Sequence, residues 1–118
     1  MYEDKIVLCG ANSYEEKYYL NPDFDGLPDY VKDELKIMCV LYVNDVGGIL
    51  TLFFDEDGDL KFEVTAEDFD PMFDDIGSQL LIKKIRREKQ DLLEALQLYF
   101  KVFFLGEDSV LDELDEED

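Results

Sequence analysis

Fourteen residues near the C-terminus constrain this chain most. From Leu92 to Leu105 only Glu94, Gln97 and Lys101 are not apolar, and a helix apolar nearly all round has to be covered nearly all round. The cover must come from a chain of 118 residues, room for one domain, or from another molecule. That demand sits inside a very acidic polypeptide: thirty-one acids against eleven bases leave a formal charge of -20. Such a field repels DNA, RNA and anionic membranes, so neither direct nucleic-acid binding nor membrane association is expected. No apolar run approaches the ~20 residues of a membrane span, and the start Met1-Tyr2-Glu3-Asp4-Lys5-Ile6 lacks the pattern of a signal peptide.

Upstream, the pattern alternates short strands and helices. Lys5 to Gly10 reads as a strand, turning through Ala11-Asn12-Ser13 into a second strand between Tyr14 and Leu20. Pro28 opens a helix whose stripe is Val31, Leu35, Met38, Tyr42 and Val46, ended by Gly47-Gly48. The seven-residue apolar run Ile37–Val43 competes as a buried strand, but stripe and caps favour helix. Ile49–Phe54 and Leu60–Thr65 then form a hairpin around Asp57-Gly58. A two-residue turn pairs Phe53 with Phe62 and Thr51 with Val64. Leu50, Leu52 and Phe54 then fall on the opposite face, where something must cover them. Asp70-Pro71 opens the final helical region, with Gly77 an interruption of its first turns, and from Gln79 to about Leu105 the reading is helix, roughly 40 Å long at ~1.5 Å per residue. The predicted class is α+β: a single domain over residues 1–106, an antiparallel four-stranded sheet with two main helices in the order ββαββα. Residues 107–118, with eight acids and no base, form an acidic tail in which Ser109 caps a short helix using Val110, Leu111 and Leu114, or which stays solvated.

Chemistry-bearing patterns are weak. The chain has no histidine, which removes the commonest general base and zinc ligand. Without one, nothing obvious activates Ser13, Ser78 or Ser109. Cys9 and Cys39 lie in apolar segments and read as reduced, buried hydrophobes of a cytoplasmic protein. Asp55, Asp57 and Asp59 around Gly58 are the candidate metal ligands. Registered as a calcium loop, however, they put Phe53 and Val64 where the first and last carboxylates belong, so the hairpin turn is favoured. Pro22-Asp23 with Glu34-Leu35-Lys36, or with Asp59-Leu60-Lys61, matches the nuclease arrangement of two carboxylates and a lysine. That match is weak in so acidic a chain, and charged surface is preferred. Lys83-Lys84-Ile85-Arg86-Arg87-Glu88-Lys89 holds five of the eleven bases and reads as an exposed helix face neutralised by carboxylates. Phe24, Phe69 and Phe73, each flanked by acids, read as core plugs. No catalytic residue and no cofactor is expected.

The segments Leu8-Cys9-Gly10-Ala11-Asn12-Ser13-Tyr14-Glu15, Leu27 to Gly48 and Leu92 to Gly106 together resemble a functionally uncharacterised family of small acidic proteins from Gram-positive anaerobic bacteria. The resemblance implies no catalytic or binding residues. From the residues themselves the favoured function is a non-enzymatic cytoplasmic interaction domain, a homodimer joined through Leu50, Leu52, Phe54, Leu96, Tyr99, Phe100, Phe103 and Phe104. The partner is a second copy or another, basic protein. Two alternatives stand beside it: an acidic inhibitor or nucleic-acid mimic occupying a basic site on a nuclease or toxin, and a weak carboxylate–metal enzyme.

Overall fold

A computed structural model describes residues 5–106; the acidic tail and its expected helix lie outside the described residues. The fold is α+β. Strands β1 (Ile6–Asn12), β2 (Lys17–Leu20), β3 (Ile49–Phe54) and β4 (Leu60–Thr65) form one antiparallel sheet in the spatial order β2-β1-β3-β4. Helix α1 (Asp29–Val46) joins the two hairpins, and α2 (Asp75–Glu88) and α3 (Gln90–Phe103) follow β4. Among the described residues, no helix is long and apolar enough to cross a membrane.

Helix α1 forms where its stripe and caps place it. Val31, Leu35, Met38, Tyr42 and Val46 are all buried. Gly47 and Gly48 both have positive φ, at 81° and 78°, conformations that L side chains resist. Cys9 and Cys39 are buried and unpaired, their sulfurs 3.8 Å apart between β1 and α1. The hydrogen bond to Cys9, followed by burial, raises the pKa of the Cys39 thiol and keeps it protonated.

Two expectations are corrected. The first is the hairpin register. Asp55 and Gly58 close a turn (Gly58 N–H to Asp55 O, 2.9 Å), Asp55 N–H bonds Asp59 O at 3.0 Å, and Gly58 sits at φ 86°. This is a three-residue loop, a type I turn followed by a left-handed glycine, rather than a two-residue turn. One extra loop residue moves the pairing by one: Leu52 faces Phe62, Leu50 faces Val64 and Phe54 faces Leu60. A one-residue shift sends each side chain of a strand to the other face. Leu50, Leu52 and Phe54 therefore join Leu60, Phe62 and Val64 under the helices, all three of the β3 side chains fully buried.

The second is the long last helix, which is two helices. Lys89, at φ -109° and ψ 22°, ends α2 and starts α3. Its backbone N–H bonds back to Ile85 O while its own carbonyl accepts from Leu93 N–H. Its ammonium reaches Glu34 of α1 at 2.9 Å. A straight rod of ~40 Å overhangs a strand of ~20 Å, whereas the break lets α2 lie along α1 and α3 return over the sheet. Helix α2 starts at Asp75, between the expected opening at Asp70-Pro71 and the helix read from Gln79, and includes Gly77, because the Asp74 carboxylate caps it by accepting from Gly77 N–H at 2.8 Å.

The apolar run of α3 is covered largely from within. Phe100 stacks on Phe54 at 4.2 Å, and Phe24 on Phe104 at 4.7 Å. Leu93, Leu96, Phe100 and Val102 are buried. Side chains of this kind contribute about 1.5–3 kcal/mol each when fully enclosed. At the start of the β4 edge, the Leu60 N–H donates to Gln97 Oε1 of α3 at 2.8 Å.

Candidate interaction surfaces

Among the described residues, apolar side chains reach the outside on the sheet and on the helices, at three places in particular. The first is the sheet face away from the helices. By register, Val7 stands beside Phe53, Gly10 lies between Tyr19 and Thr51, and Ile49 lies beside Asn12 and Thr65. Val7, Ile49 and Phe53 are half-buried and Tyr19 is exposed. Gly10, having no side chain, leaves a cavity of about 360 Å³ bordered by Tyr19, Ile49 and Thr51. Two of the lysines here are paired: Lys5 reaches Glu63 at 3.1 Å and lies 4.7 Å over the Phe53 ring, while Lys61 approaches Asp55 at 3.9 Å; Lys17, beside Asn12, forms no ion pair among the described residues. An ammonium over an aromatic face shields part of the ring at a gain of about 0.5–1 kcal/mol.

The second is a groove between α1 and α2, a cavity of about 520 Å³ lined by Ile37, Met38, Leu41, Tyr42, Leu81 and Ile85, with Glu34, Asp45, Lys84, Glu88 and Lys89 around it. The helices run antiparallel: Tyr42 OH donates to Ser78 O (3.3 Å) near one end, and Lys89 meets Glu34 at the other. Burial raises the Tyr42 phenol pKa, so it stays protonated as that donor. Ile37 and Leu41 are 57% and 61% exposed; on the neighbouring helix Ile76 and Leu80 are 75% and 62% exposed. Of the basic run, Arg86 lies 4.8 Å over the Phe62 ring. Among the described residues, Lys83, Lys84, Arg86 and Arg87 form no ion pair; neutralisation by carboxylates is found only at Lys89. The signal for this groove was present in the run Ile37–Val43. A helix buries one stripe of such a run, here Met38, Cys39, Tyr42 and Val43, and Ile37 and Leu41 must point elsewhere.

The third is the end of α3. Tyr99 and Phe103 pack at 4.8 Å, Phe103 is 71% exposed, and Tyr99 and Phe104 are half-buried. Of the eight expected interface residues these three reach the surface. Leu50, Leu52, Phe54, Leu96 and Phe100 are inside the chain, for the register and packing reasons given above, and present no excess apolar surface. Of the acid-flanked phenylalanines, Phe24 is a core plug, Phe73 is half-buried, and Phe69 is fully exposed at φ 62°.

The carboxylates offer little further chemistry. Among the described residues, Asp55, Asp57 and Asp59 are the one group of three whose ligand atoms lie within 4.8 Å of one another. Asp55 Oδ1, however, accepts the N–H groups of Asp57 and Asp59, both at 3.0 Å, which is what shapes the loop. Glu34 is held by Lys89, and Asp23 sits exposed in a 3-10 turn over Pro22–Phe24. A different acid has a definite structural task. Asp70 accepts from Tyr14 OH at 2.5 Å and from Met72 N–H at 2.8 Å, while Glu67 N–H donates to Tyr14 Oη. The tyrosine hydroxyl, then the Met72 N–H, hold the Asp70 carboxyl below its ordinary value of 3.8, and the same tyrosine–carboxylate bond raises the Tyr14 phenol. This link ties the first hairpin to the segment leading into α2.

Residues 5–108 match a family of unknown function, DUF6145, and the chain belongs to it. No curated protein and no solved structure matches the chain.

Proposed function

We propose that this DUF6145 member is a non-enzymatic, cytoplasmic interaction domain that works as a homodimer joined through the open face of its sheet. The observation that carries the reading is the half-exposed apolar row Val7, Ile49 and Phe53, with Tyr19 beside it, on a face whose Lys5 and Lys61 are already ion-paired. Two molecules of charge -20 repel almost anywhere else they touch. A patch whose lysines beside Phe53 are already paired sets little charge against itself across a two-fold axis, and screening over ~8 Å at physiological salt leaves the rest of each molecule a weak opponent.

Magnitude sets the expected affinity. Four strands ~4.8 Å apart and about 20 Å long present roughly 400 Å² of projected surface, under the ~800 Å² per partner of a standard interface. A dimer that dissociates in the micromolar range follows. Sedimentation at tens of micromolar should give twice the 13.8 kDa of the chain, and Phe53→Glu should return it to 13.8 kDa with its circular dichroism unchanged. A wild-type chain that sediments at 13.8 kDa throughout that range removes the reading.

A second reading, a domain occupying a basic site, draws on the third surface. Tyr99 and Phe103 stand where Gly26 approaches the Tyr99 hydroxyl and Gly58 approaches Lys101, so the Asp23–Asp25 and Asp55–Asp59 segments lie near the half-buried Tyr99 and the exposed Phe103. Charge and cation–π contact both suit a lysine- or arginine-rich segment. Binding of an oligo-arginine peptide that Phe103→Ala leaves untouched would set it aside.

A further inference from the structure

We propose that the acidic residues 107–118 fold back along α3 and rest their far end on the basic side of α2 in the same chain. That side carries Lys83, Lys84, Arg86 and Arg87, all exposed, and none of them forms an ion pair among the described residues. Lys89, the remaining base of the run, is already held by Glu34, and Glu88 is the run's one acid. Lys83 and Arg87 are neighbours one helical turn apart, and the Arg86 guanidinium lies over the Phe62 ring. In a chain with thirty-one acids, these four cations take no counter-charge from the described part of the molecule.

The tail offers that counter-charge. Residues 107–118 hold eight acids and no base, and Glu113-Leu114-Asp115-Glu116-Glu117-Asp118 alone holds five of the eight. Reach fits as well. Helix α3, which separates the tail from α2, has 14 residues, about 21 Å at ~1.5 Å each. Twelve residues of flexible chain have a root-mean-square span of about 19 Å, from ~5.5 Å × √n, and extend to ~40 Å at most. A tether is most effective when its span matches the distance between the sites it joins. With roughly half of the tail crossing α3, its acidic end arrives at the bases. Residues 1–82, with twenty acids against five bases, repel it, which leaves α2 as the place where its charge is met. The tether also favours the chain's own α2 over that of a second copy, because a short linker holds its end at a local concentration of order millimolar. This contact does not use the sheet face, so it and the dimer can fail separately.

The test uses the full chain with a nitroxide spin label on Asp118→Cys; Cys9 and Cys39 are buried and stay unlabelled. At low salt the label should broaden the backbone amide signals of Lys83 to Arg87 relative to the chemically reduced label. At ~1 M salt, where screening acts beyond ~3 Å, those signals should recover. Lys83→Glu combined with Arg87→Glu should abolish the broadening, and so should neutralising the tail by Glu113→Gln, Asp115→Asn, Glu116→Gln and Glu117→Gln. Phe53→Glu should leave it in place. Lys83, Arg87 and Phe53 are exposed or half-buried, so these variants are expected to fold, and the amide signals of the sheet check that they do. Absence of broadening in the parent chain, or broadening that survives either charge change, overturns the proposal. So does broadening in a mixture of isotope-labelled chain without the nitroxide and nitroxide-bearing chain without the isotope, which would put the tail on a second copy.

Discussion

Alternate residues of β3 meet opposite fates. Leu50, Leu52 and Phe54 have no measurable exposure, whereas Ile49, Thr51 and Phe53 remain half-buried on a face without a helix. The two sets are almost equally apolar, and they share one backbone. What separates them is the parity of the loop that follows: three residues around a left-handed Gly58 put the even set under α1 and α3. Hydrophobicity alone does not assign a strand residue to the core; the face chosen by register does. The open face is still managed, since the Lys5 ammonium sits over Phe53 and its charge is met by Glu63.

The largest expected effect tests this contrast within one strand. Phe54→Ala removes a ring stacked on Phe100 at 4.2 Å and should cost about 3–5 kcal/mol in urea unfolding. Phe53→Ala should cost about 1 kcal/mol, since its ring is already half in water. Similar losses at the two positions would dissolve the distinction between the faces. Next comes the loop that sets the register. Gly58→Ala forces a side chain onto φ 86° and to 2.9 Å from Lys101 Cγ, and should destabilise by about 1–3 kcal/mol.

A third expectation concerns pH. Asp70 has a depressed pKa in the folded chain, so the stability it contributes is present above its unfolded value of 3.8 and lost as pH falls through the lower folded one. Tyr14 has a raised pKa, so its contribution is present below 10.0 and lost as pH rises through the higher folded value. Unfolding measured from pH 2 to 11 should therefore slope at both ends, and Tyr14→Phe should flatten both slopes. An unchanged profile in that variant would detach the link from the stability of the fold. Smallest is the Lys5–Glu63 pair, whose partners are 42% and 45% exposed. A double-mutant cycle should give ~0–1 kcal/mol, shrinking as salt is added.

Much of the architecture was legible because it is local. Val31, Leu35, Met38, Tyr42 and Val46 repeat at helical spacing and are all buried, and Gly47-Gly48 mark the end of α1 as their conformations require. The hairpin from Ile49 to Thr65 was visible in its β-prone runs and Asp-Gly turn. The register was not, since the same dipeptide serves loops of two and of three residues, and the wrong choice exchanged the core for the surface. The break at Lys89 was hidden for another reason. Nothing in Arg87-Glu88-Lys89-Gln90-Asp91 disfavours helix by itself; the break goes with distant packing, Lys89 meeting Glu34 fifty-five positions away and Leu93, Leu96 and Phe100 entering the core. The exposed end of the predicted interface, Tyr99, Phe103 and Phe104, was within reach of the sequence. The enclosure of Leu96 and Phe100 depended on where Phe24 and Phe54 would stand.

By itself the sequence determined the kinds and order of the elements through Thr65, the helical stripe of α1 and the acidity of the molecule, because these follow from periodicity, caps and charge within a few residues. The tertiary structure alone decided which half of each apolar run is hidden, where the last helix bends, and that Ile37 and Leu41 face a groove beside the bases of α2. Those outcomes depend on which distant surfaces meet, and a linear pattern carries no record of what lies across the core.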